Sequence, residues 1–156
     1  MEAITLEPMT EAEFGEFMIL IHSTYVAERA TADRISQEEA ERFARQQYAR
    51  LLPKGRLSDG HQFLRIASAA SRESLGGLWV HTDIAARCAF LYNITVFAEF
   101  RRHGFAREAL TLLQDRVRAL GCATLALNVF STNVAAIRLY ESSGFAQVSR
   151  HMNKAL

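Results

Sequence analysis

Ile94-Thr95-Val96-Phe97-Ala98-Glu99-Phe100-Arg101-Arg102-His103-Gly104-Phe105-Ala106 carries a β-branched strand through a basic loop and straight into a helix, with Gly104 at the junction. The start of a helix presents backbone N–H groups that lack intrahelical partners, together with the positive end of the helix dipole. A strand that stops just before one therefore aims several donors at a bound anion. Gly104 lets backbone approach without a Cβ, and Ala106 keeps the next turn small. The stretch reads as a phosphate cradle at a strand–helix junction, so the fold must combine a sheet with helices packed on it.

Downstream, the helix predicted over 104 to 120 shows Phe105, Ala109, Leu112, Leu113, Val117 and Leu120 on one face and stops at Gly121, a natural C-terminal cap. Residues 122 to 130 are apolar with little alternation, as expected of a central strand covered on both faces. A helix over 133 to 143 ends at Gly144, and Phe145 begins a final strand region. Asn133, Ala136, Ile137 and Tyr140 fall at i, i+3, i+4 and i+7 and share one helix face. At about 1.5 Å rise per residue, Asn133 and Tyr140 stand roughly 10 Å apart along it, so a long thin ligand can touch both.

Upstream, residues 3 to 8 read as a strand. Thr10-Glu11-Ala12-Glu13 is a capping box opening a helix with Phe14, Phe17, Met18 and Ile21 at helical spacing, which should end near Arg29. Ser36-Gln37-Glu38-Glu39 is a second capping box, starting a helix that stops before Pro53. Strands follow near 61 to 69, 75 to 82 and 88 to 97, and their short connections imply an antiparallel meander. The expected order is β-α-α-β-β-β-α-β-α-β, a mixed α/β fold with a central twisted sheet of six to seven strands and helices on both faces.

Two motifs at this separation carry a resemblance. The segment from about 88 to 148 resembles the coenzyme A-binding half of the GNAT superfamily of N-acetyltransferases. It holds that superfamily's Gln/Arg-x-x-Gly-x-Gly/Ala loop as Arg101-Arg102-His103-Gly104-Phe105-Ala106, and its Asn-x-x-Ala-x-x-x-Tyr followed by Gly-Phe as Asn133, Ala136, Tyr140 and Gly144-Phe145. The N-terminal half resembles the superfamily in its order of elements. Only twelve residues follow Gly144, so the customary two closing strands must be shortened or merged.

The resemblance implies the GNAT fold, acetyl-CoA as cosubstrate and no metal. It implies that Ile94, Thr95 and Val96 offer backbone groups to pantetheine, that the amides of Arg102, His103, Gly104, Phe105, Ala106 and Arg107 hold the pyrophosphate beside the Arg101 side chain, and that Asn133 and Ala136 flank the pantetheine arm. Tyr140 then serves as the acid that protonates or hydrogen-bonds the departing thiolate. By itself, a tyrosine on the apolar side of a helix is equally a core residue with a tethered hydroxyl, and Asn133 is equally a helix N-cap.

An attacking lysine has a pKa of about 10.4 and an α-amine one of about 8, so a base must accept a proton directly or through water. Relatives often place a glutamate at the positions held here by Phe90 and Asn128, and neither residue can serve. Glu28, near the end of the first helix, is chosen, ahead of His22, His81 and Asp83. The loops at about 29 to 36 and 53 to 61 are expected to line the acceptor side.

Length and composition agree with this reading. The 156 residues suit one domain spanning 1–156. A net charge of +1 gives no broad field for nucleic acid or an anionic membrane. Arg101, Arg102, His103 and Arg107 instead form a local cluster matched to one small polyanion. No segment has the roughly 18 apolar residues of a membrane span, and Glu2, Glu7 and Glu11 stand where a secretory leader would be basic and then apolar, so a cytoplasmic protein is expected. Cys88 and Cys122 read as two buried thiols on strands. The expected activity is direct acetyl transfer from acetyl-CoA to a small-molecule or peptide amine in a ternary complex. An acyl-CoA-binding sensor with little turnover is the alternative, and a homodimer is left open.

Overall fold

The computed structural model describes residues 2–156. Its elements are β1 (Ile4–Pro8), α1 (Glu11–Asp33), α2 (Gln37–Leu51), β2 (His61–Ser68), β3 (Ser74–Asp83), β4 (Cys88–Val96), α3 (Phe105–Ala119), β5 (Thr124–Leu127) and α4 (Val134–Ser142), with short 3-10 turns at Gly55–Leu57 and Ala98–Phe100. The strands form one sheet in the order β1-β2-β3-β4-β5, antiparallel up to β4 and parallel between β4 and β5.

Both capping boxes form. The Glu13 amide donates to Thr10 Oγ1 while the Thr10 amide donates to Glu13 Oε2, and Ser36 and Glu39 repeat the exchange. Helix α1 continues past Arg29 to Asp33, because Arg29 and Asp33 make an i,i+4 ion pair at 2.6 Å that supports one more turn. Arg34, at φ 55°, then ends it.

The pleat divides the core in two. Phe63 and Trp79 meet Met9 and the α1 residues Phe17 and Ile21 on one face. Leu64, Leu78, Val80 and Leu91 meet Leu110, Leu113 and Val117 of α3 on the other. Full burial of such side chains stabilises the fold by about 1.5–3 kcal/mol each. Two glycines of β3 make this packing possible. A Cβ on Gly77 would strike Met9 and the Phe17 ring, and one on Gly76 would overlap the Thr95 carbonyl oxygen of β4.

Three expectations are corrected. The sheet has five strands, not six to seven. Residues 145 to 156 form no strand, because no edge of their own chain pairs with them: among the described residues, no backbone N–H beyond Phe145 finds an intrachain acceptor. Second, β5 spans only Thr124–Leu127 and is an edge strand, pairing with β4 alone. Leu125 and Leu127 turn inward to the α3 layer while Thr124 and Ala126 are exposed or nearly so, an alternation hidden in the sequence by counting Ala126 as apolar. Third, Cys122 is buried but precedes β5, and Cys88, on β4, is only half-buried. No described helix is long and apolar enough to cross a membrane.

Candidate functional site

The sheet opens where β4 outruns β5. Their parallel pairing covers Cys88–Leu91 against Thr124–Leu127, whereas β4 continues to Val96 with no neighbour on that side. The chain leaving β5 instead turns away through 128–133 into α4. Between the end of β4 and α3, Arg102 at φ 65° and Gly104 at φ 84° both take left-handed backbone, which bends the loop sharply into the first turn of α3.

The loop side chains divide into those that brace it and those that face outward. Arg101 folds back and donates from Nε to the Val96 carbonyl at 3.0 Å, and His103 Nδ1 lies 3.2 Å from the Phe100 carbonyl. Arg107 reaches across to α4, donating to the carbonyl of Ser142 and, at 2.8 Å, to its Oγ. Arg102, Gly104 and Arg107 then line an open groove of about 650 Å³ together with Ala135, Arg138, Leu139 and Ser142. Three guanidinium groups and no carboxylate line it, as suits an anion.

Ala135, Arg138, Leu139 and Ser142 were missed by the sequence reading. They stand at i, i+3, i+4 and i+7, two residues on from the expected set and so about 200° around α4, on its other side. The expected stripe makes contacts of its own. Asn133 caps α4, its Oδ1 accepting from the Ala136 amide at 3.2 Å, which leaves its NH₂ donors uncommitted. Ala136 serves that cap and is not among the groove-lining residues. Of the expected backbone positions on β4, Ile94 packs toward the core, Thr95 donates to Asn93 Oδ1 at 2.6 Å, and the Val96 carbonyl is taken by Arg101. Phe105 is buried in the core beneath the groove, beside Ala109, and Ala106 is half-buried.

Tyr140 lies half-buried against the α3-side core, its ring 5.7 Å from that of Phe145 in edge geometry. Its hydroxyl makes no hydrogen bond among the described residues. Burial pushes the phenol above its ordinary value, and the nearby Glu28 carboxylate pushes it further in the same direction. Glu28 is itself half-buried, without a hydrogen-bond or ion-pair partner among the described residues, and burial raises its carboxyl too.

The other base candidates are committed elsewhere. His22 Nε2 pairs with Glu41 at 3.3 Å. The His81 ring lies 4.5 Å from that of His61, tilted at 52°, and Asp83 accepts from the Ala86 amide in the β3–β4 turn. Phe90 belongs to an aromatic row with Tyr92, Trp79 and His61. His61 accepts the indole N–H of Trp79 at Nδ1 and is held neutral, its pKa lowered to about 4 by burial and then by His81. Asn128 is exposed. Beside Glu28, Tyr25 binds both Gln47 and Arg29 through its hydroxyl and faces Phe130 from the loop after β5. That contact joins the C-terminal half of α1 to the outer side of the opening.

The chain matches the Acetyltransferase (GNAT) family over residues 27–145. It belongs to the GNAT family. This GNAT chain is similar over nearly its full length to two proteins of Bacillus subtilis (strain 168), each named as an uncharacterized N-acetyltransferase. YdgE is 35% identical over 156 residues, covering 99% of both chains, and YycN is 31% identical over 155 residues, covering 98% of this chain and 99% of YycN. The crystal structure of YycN superposes with a TM-score of 0.91 at 29% identity, over 99% of both chains. A shorter similarity, 40% over 72 residues, covers 46% of this GNAT chain and 49% of the [ribosomal protein bS18]-alanine N-acetyltransferase of Escherichia coli (strain K12).

Proposed function

We propose that residues 1–156 act as one acetyltransferase domain that moves the acetyl group of acetyl-CoA directly to a primary amine within a ternary complex. What supports this reading is the gathering of Arg102, Arg107 and Arg138 between the start of α3 and α4, together with the approach of Glu28 to Tyr140 of the same helix α4. The cradle fits a pyrophosphate: left-handed backbone at Arg102 and Gly104 turns the amides of the first α3 turn outward, and Arg102, Arg107 and Arg138 supply the countercharge. Backbone of Ile94 and Thr95 and the free NH₂ of Asn133 would hold the pantetheine arm.

Bound there, acetyl-CoA supplies a thioester-activated acetyl group. Glu28, with its carboxyl pushed up by burial, accepts the proton that the acceptor nitrogen loses as it acylates. Tyr140 donates its phenolic proton to the departing sulfur, and the raised pKa keeps that proton in place at neutral pH. The carbon–nitrogen bond forms as the carbon–sulfur bond breaks, with no enzyme-bound acyl group. The acceptor is a small-molecule or peptide amine. An α-amine, of the kind named for the bS18-alanine enzyme, has a pKa of about 8 and asks less of the base than a lysine at about 10.4.

A panel of amines assayed with acetyl-CoA by release of free thiol tests the reading. Turnover with at least one primary amine is expected. Tight acetyl-CoA binding without thiol release from any amine would favour the sensor alternative, which the non-ionisable residues Phe90 and Asn128 support.

A further inference from the structure

We propose that the sheet face between α2 and β5 holds an aromatic ring of the acceptor, with Arg50 taking a carboxylate beside it, so that the amine acetylated is that of an aromatic α-amino acid. This rests on the acetyltransferase reading and refines its acceptor. One row of side chains crosses four strands in register: His61 of β2 stands opposite His81 of β3, His81 opposite Phe90 of β4, and Phe90 opposite Ala126 of β5. The neighbouring row is roofed. Phe63 and Trp79 are 3% exposed beneath α1, with Tyr48 of α2 packed against them. Helix α2 stops at Leu51, before Pro53, and the His61 row is only half-buried and ends at Ala126, which is exposed. Tyr92 joins the two rows, its ring 4.7 Å from that of Phe90 and stacked 4.5 Å from Trp79 at 21°. Phe90, which supplies no base, serves here as an aromatic wall.

The chemistry of this patch selects among amines. His61 accepts the Trp79 indole N–H and stays uncharged at neutral pH. Burial raises the Tyr92 phenol, so it too is neutral, and Arg50 is near enough to pull that value part of the way back. Arg50 itself lies exposed in the last turn of α2, without a side-chain partner among the described residues. No carboxylate acts on His61 or Tyr92, and Asp83, two residues past His81, is turned to the Ala86 amide. A flat uncharged surface with one free guanidinium at its rim matches a ring and a carboxylate carried by one small molecule. A polyamine or an aminoglycoside brings several ammonium groups, which would meet Arg50 and no countercharge. A pantetheine arm running back along β4 from the cradle past Ile94 comes next to Tyr92, so a ring on this face would lie at the thioester end of the arm.

Thiol release from acetyl-CoA is compared for L-phenylalanine, 2-phenylethylamine, L-alanine and spermidine. Phenylalanine should exceed alanine and spermidine in kcat/KM by at least about tenfold, and a smaller ratio would overturn the proposal. Arg50→Ala should raise KM about tenfold for phenylalanine and by less for 2-phenylethylamine, which has the ring without the carboxylate. An equal effect on both overturns the carboxylate contact. Phe90→Leu keeps apolar volume but loses the flat face, so KM should rise for both aromatic amines, and an unchanged KM overturns the ring contact. Trp79, the only tryptophan of the chain, reads the patch without turnover. With coenzyme A present, its fluorescence, excited where phenylalanine does not absorb, should change saturably with phenylalanine and not with alanine. A saturable signal without thiol release from any amine removes the acetyltransferase reading and keeps the ring subsite. Thiol release from spermidine or alanine, with no phenylalanine signal, removes the subsite and keeps the acetyltransferase reading.

Discussion

Glu28 of α1 and Tyr140 of α4, brought from opposite ends of the chain, sit close enough that the carboxylate raises the phenol's pKa in addition to the larger effect of burial. Neither side chain makes a hydrogen bond among the described residues.

Tyr140→Phe keeps the ring and its contact with Phe145 but removes the hydroxyl. Loss of about 10²-fold in kcat is expected, with acetyl-CoA affinity nearly unchanged. Parent-rate turnover, under conditions where chemistry limits the rate, would make Tyr140 a core residue only.

Glu28→Gln tests the base. Burial raises the Glu28 carboxyl above its ordinary 4.5, so kcat/KM should rise with pH through that raised value in the parent and lose this limb in the variant, with activity down about tenfold or more. The stability effect has the opposite sign. The native state holds this proton more tightly than the unfolded chain does, so stability falls as pH rises across the interval between the ordinary and raised values. Thermal melts at pH 7 should accordingly show the glutamine variant at least as stable as the parent; a marked drop would mean that the carboxylate makes a supporting contact.

Gly104→Asp should weaken acetyl-CoA binding at least tenfold in a calorimetric titration while leaving the fold intact. Gly104 sits at φ 84°, where a side chain is strained, and the new carboxylate would lie where the phosphates approach. Unaltered affinity would remove the cradle from the proposed site.

Gly76→Ala probes β4 from the β3 side. Its Cβ would overlap the Thr95 carbonyl oxygen and come within 2.9 Å of the Val96 Cα, both in the stretch of β4 that pairs with β3 but extends beyond β5. Destabilisation of about 3 kcal/mol is expected, a fall of roughly 10 °C in Tm for a domain of this size. A melt within a degree of the parent would show that β4 yields freely there.

Much of the frame was legible because its signals are local. Thr10 with Glu13 and Ser36 with Glu39 announce helix starts through bonds made within four residues, and Gly104 marks the junction through its own backbone freedom. Spacing on α4 grouped Asn133, Ala136, Ile137 and Tyr140 on one side but could not say which side of the helix faces the start of α3; the Arg107–Ser142 contact decides that, and it joins residues far apart in sequence. The strand count failed for a related reason. Residues 146–156 have a strand's alternation, but a strand exists only where another edge accepts its hydrogen bonds.

The sequence by itself determined the order of helices and meander strands and the strand–helix junction at Gly104, since periodicity, capping and backbone conformation are properties of neighbouring residues. Only the tertiary structure decided that β5 lies at the sheet edge, that Arg138 joins the groove, and that Glu28 rather than His22, His81 or Asp83 stands by Tyr140. Those outcomes depend on which surfaces meet when the layers pack, and packing couples residues whose separation along the chain carries no periodic signal.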